Sequence, residues 1–271
     1  MFNQRTDPRF RYIKESLPEI GAIRRIHWTI TTWFRTEAYY NSGGWRATWS
    51  GVGGGVLLNQ SPHNLDIFQW LFGMPAKVRA HCQFGRYHDI EVEDSVTAYL
   101  EYPDSTTATF IVTTGESPGE NRLEIVGDLG RIVLDGRNIT IQSNQSSTGE
   151  FSRQATNSYA RPPFTETASS FDSPGTQHNG IITNFVEAVF DGTPLIAPAA
   201  EGVRSLELAN AMLMSTFLDR TIELPMDADH YQELLMRRIS SSNGHEKLAR
   251  NANRPAPNNS APASCHPSYC A

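Results

Sequence analysis

Lysine is almost missing from this chain. Among 271 residues Lys14, Lys77 and Lys247 are the three present, and arginine carries the remaining basic charge. With a formal net charge of −6, the basic surface needed for nucleic acid or an anionic membrane is lacking. Cysteine is equally scarce: Cys82, Cys265 and Cys270, with no paired CxxC units. That argues against a disulfide framework or structural zinc site and for a reducing cytosol. No apolar run reaches the ~18 residues of a membrane span. MFNQRTDPRFRY at the amino terminus has no signal-peptide core. The expectation is a cytoplasmic protein with no membrane or nucleic-acid partner. Neither GK[ST] nor GxSxG occurs, so phosphate-loop and serine-hydrolase chemistry have no support.

What is present is enough for a large core: 39% hydrophobic and 19% charged residues suit one large globular domain or two small ones. The most informative stretch is Gly51 to Asp66, GVGGGVLLNQSPHNLD. Glycines at 51, 53, 54 and 55 let backbone approach a bulky neighbour. Downstream, Asn59, His63 and Asp66 recur at helical spacing, where residues three or four apart share a face. His63 has the pKa range for proton exchange near neutrality, and Asp66 one turn on could orient the ring or raise its pKa. A capping or buried structural histidine is the competing reading. Because Pro62 suits a first helical position and Ser61 an N-cap, we expect a helix starting there. His63 would then lie in its exposed first turn, with Asn59 approaching from the preceding loop.

Elsewhere, Asp7 to Leu17 reads as a short helix and Ile23 to Phe34 as a long β-branched and aromatic strand. Arg35 to Gly55 reads as an aromatic, glycine-rich loop. From Lys77 to Ser143, strand-like runs are broken by turn signals such as Pro103-Asp104-Ser105 and Pro118-Gly119, spacings that imply antiparallel hairpins. A long polar loop is expected over Asn144 to Gly175. Three helices follow, about His178 to Phe190, Ala200 to Leu218 and Asp227 to Ser240, then a Pro/Asn/Ala-rich tail from Ser241 expected to be disordered. The fold class is α+β: a large, mostly antiparallel open sheet with helices on one face.

Three further features carry possible chemistry. Trp45-Arg46 sets a flat aromatic beside a guanidinium, suited to stacking on a ring and pairing with a phosphate. His88, Asp89, Glu91, Glu93 and Asp94 resemble a metal cluster. Neighbours on a strand point to opposite faces, so a solvated hairpin is expected there and no metal site. His178 opens a helix after a long loop, where it could enter a pocket mouth or be a plain helix-start residue. The glycine cluster is not a dinucleotide fingerprint, since Val56 stands where GxGxxG needs its last glycine.

NQRTDPRF, EIGAIRRIHW, GGWRATW, GGGVLLNQSPHNLDIFQWLFGMP, IEVEDSVTAYLEY and ANAMLMSTFLDRTIELP together resemble the Gfo/Idh/MocA family of oxidoreductases. The resemblance runs from about Asn3 to Ser240. It implies an NAD- or NADP-dependent dehydrogenase acting on a sugar or cyclitol hydroxyl. It also implies the glyceraldehyde-3-phosphate-dehydrogenase-like fold of such an enzyme's carboxy-terminal domain, over residues 22–240. Residues 1–21 would be a remnant of the last strand and helix of its nucleotide-binding Rossmann domain, and 241–271 a tail. Neither the GxGxxG fingerprint nor the family's Glu-Lys-Pro lysine occurs in this sequence. The expectation is therefore a truncated, substrate-binding half, or a non-catalytic sugar-binding or oligomerisation module derived from it. By position, His63 matches the family's catalytic histidine and Asp66 an orienting acid. Asn59, Asn3, Arg5 and His178 fall on the substrate side, Asn59 standing where many members have a carboxylate. Trp45 and Arg46 match a pair that lies against the cofactor in some members. A homo-oligomer through the open sheet is the implied assembly.

Overall fold

The structure is a computed structural model describing residues 2–43 and 45–242. A 3-10 turn, Asn3–Thr6, leads into α1 (Pro8–Ser16), whose cap Asp7 accepts the Arg9 N–H at 2.9 Å. β1 (Ile23–Ile30) follows. Then come four short or medium helices: α2 (Glu37–Asn41), α3 (Trp49–Val52), α4 (Val56–Asn59) and α5 (Pro62–Phe72). The hairpin region comprises β2 (Lys77–Phe84), β3 (Glu93–Glu101), β4 (Thr107–Thr113), β5 (Asn121–Gly127), β6 (Gly130–Asp135) and β7 (Asn138–Asn144). The chain closes with α6 (Thr148–Gln154), β8 (Phe164–Ser170), α7 (Gln177–Asp191), α8 (Gly202–Leu218), β9 (Ile222–Glu223) and α9 (Ala228–Ser240).

The strands form one open sheet in the order β8-β7-β6-β5-β1-β4-β3-β2-β9. β1 pairs parallel to β4 and antiparallel to β5, and the other pairings are antiparallel. Alternation decides which face is covered. Ile26, Trp28 and Ile30 of β1 are buried, as are Ala108, Phe110 and Val112 of β4, because one set of side chains in each strand points inward. α5 and α8 lie over this face. Trp28 stacks on Phe68 with ring centroids 6.5 Å apart, and Phe110 meets Phe68 edge-on at 5.9 Å. α8 also engages the sheet backbone, since Ser215 Oγ accepts the Ala80 N–H at 3.0 Å and Thr216 Oγ1 accepts that of Cys82 at 2.9 Å. The other face carries Arg25, Arg122, Glu124, Arg131 and Gln142 joined in polar pairs. Outside the core, α7 exposes a row of apolar side chains that includes Phe185, Val189 and Phe190.

Several sequence expectations change. The stretch from 144 to 175 is not a featureless loop. It contains α6, and β8 pairs with β7 from Asn144↔Phe164 to Asn138↔Ser170. β8 (FTETASS) lacks apolar alternation because nearly all of it is exposed; backbone hydrogen bonds alone make it a strand. The aromatic stretch from 35 to 55 holds α2 and α3, capped by Thr36 and Thr48. Residues 3–6 are a turn, not a strand, and 21/22 is no boundary in packing: Phe10, Ile13 and Ile20 belong to the same core as β1. α5 does start at Pro62, but Ser61 makes no side-chain cap and donates instead to Val56 O at 3.0 Å. The expected tail lies outside the described residues from position 243 onward.

Candidate functional site

The glycine segment lies directly on β3. A Cβ built at Gly55 would fall 1.9 Å from the Glu93 carbonyl oxygen, and one at Gly51 would fall 2.1 Å from that of Trp45. No side chain fits at either place. Glu93, fully buried, accepts the Leu57 N–H through Oε1 at 3.1 Å, which fixes the start of α4. Burial pushes its carboxyl from 4.5 up to about 7. α4 ends at Asn59, and after Gln60 and Ser61 the chain restarts as α5 with His63 in its first turn. The sequence reading of a fresh helix start therefore holds, with Asn59 on a one-turn helix where a loop was expected.

His63 is half-buried. Phe2 meets it edge-on at 6.2 Å, and its buried Nδ1 has no hydrogen-bond partner. Burial holds its pKa below the usual histidine value, the charge of His178 acts in the same direction, and Asp66 opposes both. The exposed His178, second residue of α7, is thus near enough for its charge to act on His63. Asn3 is buried beside them and donates to Gln177, and its Oδ1 is unpartnered.

Asp66 and Arg5 take other roles than expected. Arg5 is 1% exposed. Its Nε and Nη2 grip Asp66 at 2.8 and 2.6 Å, while Nη1 reaches Ile196 O at 3.1 Å and Glu201. Gln69 Nε2 also donates to Asp66 Oδ1, at 3.0 Å. Asp66 therefore has no hydrogen bond to His63, and Arg5 has no nitrogen left for a substrate. The pair anchors the amino-terminal turn to α5 and to the segment before α8.

Just before His63 in the chain, Asn59 Oδ1 accepts from Tyr39 of α2 at 3.5 Å, and Gln60 Nε2 donates to the same hydroxyl at 3.1 Å. The Arg46 guanidinium lies 4.8 Å from the Tyr39 ring centroid and 4.6 Å from that of Trp45, which is 48% exposed. Arg35, absent from the sequence-based site, also packs on Tyr39 at 5.1 Å. Its signal was its place just after a long strand, beside an aromatic loop.

The acidic stretch after β2 is not a solvated hairpin. His88, Glu93 and Asp94 are buried. Asp94 accepts the N–H groups of Arg86, Tyr87 and His88 at 3.1, 2.8 and 3.1 Å, and its Oδ2 sits 3.0 Å from His88 Nδ1. The alternation rule fails at this point because the β2–β3 register shifts: Gln83 faces Ser95 and Phe84 faces Glu93. Asp94 is the extra residue of a β-bulge. Among the described residues no group of three His, Cys, Asp or Glu is placed to hold a metal ion, and no helix is long and apolar enough to cross a membrane.

The fold is that of known dehydrogenase structures. The WlbA dehydrogenase of Chromobacterium violaceum, solved with NADH and UDP-GlcNAcA, superposes with a TM-score of 0.65 at 24% identity, over 84% of this chain and 62% of that one. The WlbA dehydrogenase of Bordetella pertussis gives 0.63 at 24% identity, over 82% and 61%. A putative myo-inositol dehydrogenase from Sinorhizobium meliloti 1021 gives 0.57 at 21%, over 83% and 64%. At these identities the likeness establishes the fold, and the chain spans about three fifths of the length of these structures. Residues 11–133, which carry the glycine–His63 block, match the family model described as the GFO/IDH/MocA C-terminal domain. A search of curated proteins finds no match.

Proposed function

We propose that this domain is the substrate-binding half of an NAD- or NADP-dependent oxidoreductase acting on a sugar or cyclitol hydroxyl. The observation that carries the reading is the placement of His63. His63 lies inside the segment that the family model matches, in a helix first turn, half-buried, with its buried Nδ1 unpartnered and the charge of His178 acting on it. The neighbours solved with NADH and with UDP-GlcNAcA support a nucleotide cofactor and a sugar-type substrate.

Held below the usual histidine pKa by burial, the imidazole is neutral near pH 7 and can accept a hydroxyl proton. Because Nδ1 is buried, Nε2 is the nitrogen that reaches the substrate. Asn59 and Asn3 hold hydroxyls, and His178 stands at the mouth. Asp66 acts by positioning α5 through Arg5. A nicotinamide dinucleotide supplies the hydride acceptor when bound. The residues present fit one edge of it: Trp45 offers a half-exposed ring, with the Arg46 guanidinium alongside. Assembly as a homo-oligomer through the polar sheet face, in the cytoplasm, completes the reading.

A non-catalytic sugar-binding or oligomerisation module is the second reading. It is favoured by Asn59, an amide that can hold a hydroxyl but cannot take its proton. Saturation-transfer NMR with myo-inositol and D-glucose, followed by an NADH-formation assay, tests both. Binding that survives in His63→Ala, with turnover lost at least ~100-fold, supports the oxidoreductase. Binding without turnover, even with a nucleotide-binding Rossmann domain fused ahead of the chain, selects the module. Failure of every sugar and cyclitol to bind sinks the oxidoreductase and the sugar-binding module, and leaves oligomerisation alone standing.

A further inference from the structure

The cluster around Tyr39 has more positive charge and more idle donors than a neutral sugar needs. Arg35 and Arg46 both pack on the one ring, at 5.1 and 4.8 Å. Stacking on an aromatic offsets only part of the cost of leaving two partly buried cations unpaired. Among the described residues neither meets a carboxylate, whereas Arg5, Arg9, Arg25 and Arg122 each do. Three N–H donors here are shut from water with no acceptor: Arg35 Nε, Arg46 Nε and Trp33 Nε1, Trp33 lying 5.6 Å under Arg35. Leaving a buried donor unmet costs about 1–3 kcal/mol. Each guanidinium spends only Nη1 on the protein, Arg35 on Phe34 O at 3.0 Å and Arg46 on Ser42 Oγ at 3.2 Å, so Nη2 of each remains available.

The cluster is also rigidly founded. The Arg35 N–H is held by Thr114 O at 2.9 Å, and its carbonyl oxygen sits 2.9 Å from Nε2 of the buried His88, itself fixed by Asp94. Tyr39 in turn bonds to Asn59 and Gln60, four and three residues before His63. Two arginines are thus held on one ring, next to the proposed proton-transfer residue, with no carboxylate paired to either among the described residues.

We propose that Arg35 and Arg46, splayed on Tyr39, form a receptor for an anionic group on the substrate, so that the natural ligand is an acidic sugar bearing a carboxylate or phosphate. The inference rests on the sugar-binding reading and moves Arg46 from the cofactor toward the substrate. Guanidinium forks match the paired oxygens of either group.

Calorimetric titration of the purified chain tests this. The probes are acidic sugars (D-glucuronate, D-galacturonate, glucose 1-phosphate), neutral ones (D-glucose, D-galactose) and inorganic pyrophosphate. At least one acidic sugar is expected to bind ~10-fold or more tightly than its neutral counterpart. Arg35→Gln and Arg46→Gln should each erase most of that margin, and Arg35→Lys should restore only part, since charge returns without the fork. If a variant fails to fold, the wild-type comparison decides. Equal affinity for acidic and neutral sugars overturns the inference and leaves the sugar-binding reading standing. Arginine-dependent pyrophosphate binding with no sugar bound upholds an anion receptor but overturns the sugar reading. Silence from every probe overturns both.

Discussion

Arg5 and the Arg35–Arg46 pair are the same residue type in opposite states. Arg5 is enclosed and each nitrogen of its guanidinium donates, two to Asp66 and the third to Ile196 O and Glu201. Arg35 and Arg46 pack on one aromatic ring with donors unmet and, among the described residues, no paired carboxylate. A matched buried charge is a structural fastener, because its desolvation is offset where it sits. An unmatched one retains binding capacity that the folded chain has not used. The difference separates residues that shape the pocket from residues that can answer a ligand.

The comparison can be broken most forcefully at Asp66. Asp66→Ala would leave Arg5 charged and buried, and should cost about 3–5 kcal/mol in urea unfolding; a loss below ~1 kcal/mol would remove the fastener from the account. Glu93 offers an intermediate case, with one oxygen bonded and Oε2 unpartnered. Its carboxyl is raised from 4.5 to about 7, so across that window the folded chain keeps a proton that the unfolded chain releases, and stability falls as pH rises through it. The permanently neutral Glu93→Gln should gain on the wild type between pH 5 and 7.5, by up to about 3 kcal/mol. A pH-independent difference in unfolding free energy would contradict that. The smallest effect is expected at the open cluster: Arg35→Gln and Arg46→Gln should each change unfolding free energy by less than about 1 kcal/mol. A larger loss would place both with Arg5 among the fasteners.

Much of the scaffold was legible because local pattern and tertiary demand agree. β1 alternates, α5 begins at Pro62, and α8 keeps an apolar period with Leu208, Met212 and Ser215 inward. His63 was legible from the block around it. The partner of Asp66 was not: Arg5 lies 61 residues away, and helical spacing could only nominate the nearer histidine. β8 escaped because its pairing is carried by backbone groups that leave no mark on side-chain choice. The acidic stretch was misread for a specific reason. Strict alternation assumes an unbroken ladder, and the bulge at Asp94 puts two successive acids inside. Arg35 was passed over because an arginine after a strand reads as surface until its neighbours are known.

That bulge sets how the chain can change length. With Asp94 as the odd residue between two registers, removing it would leave a regular ladder in which Glu93, opposite Phe84, keeps its inward face, whereas removing a residue inside the regular part of β3 would turn Val96, Ala98 or Leu100 to the wrong face. The bulge therefore adds the carboxylate that gathers the Arg86, Tyr87 and His88 N–H groups without moving the acid seated under Gly55 and Leu57. A one-residue change of length can be absorbed at the bulge, while elsewhere in β3 only changes of two keep the core face inward.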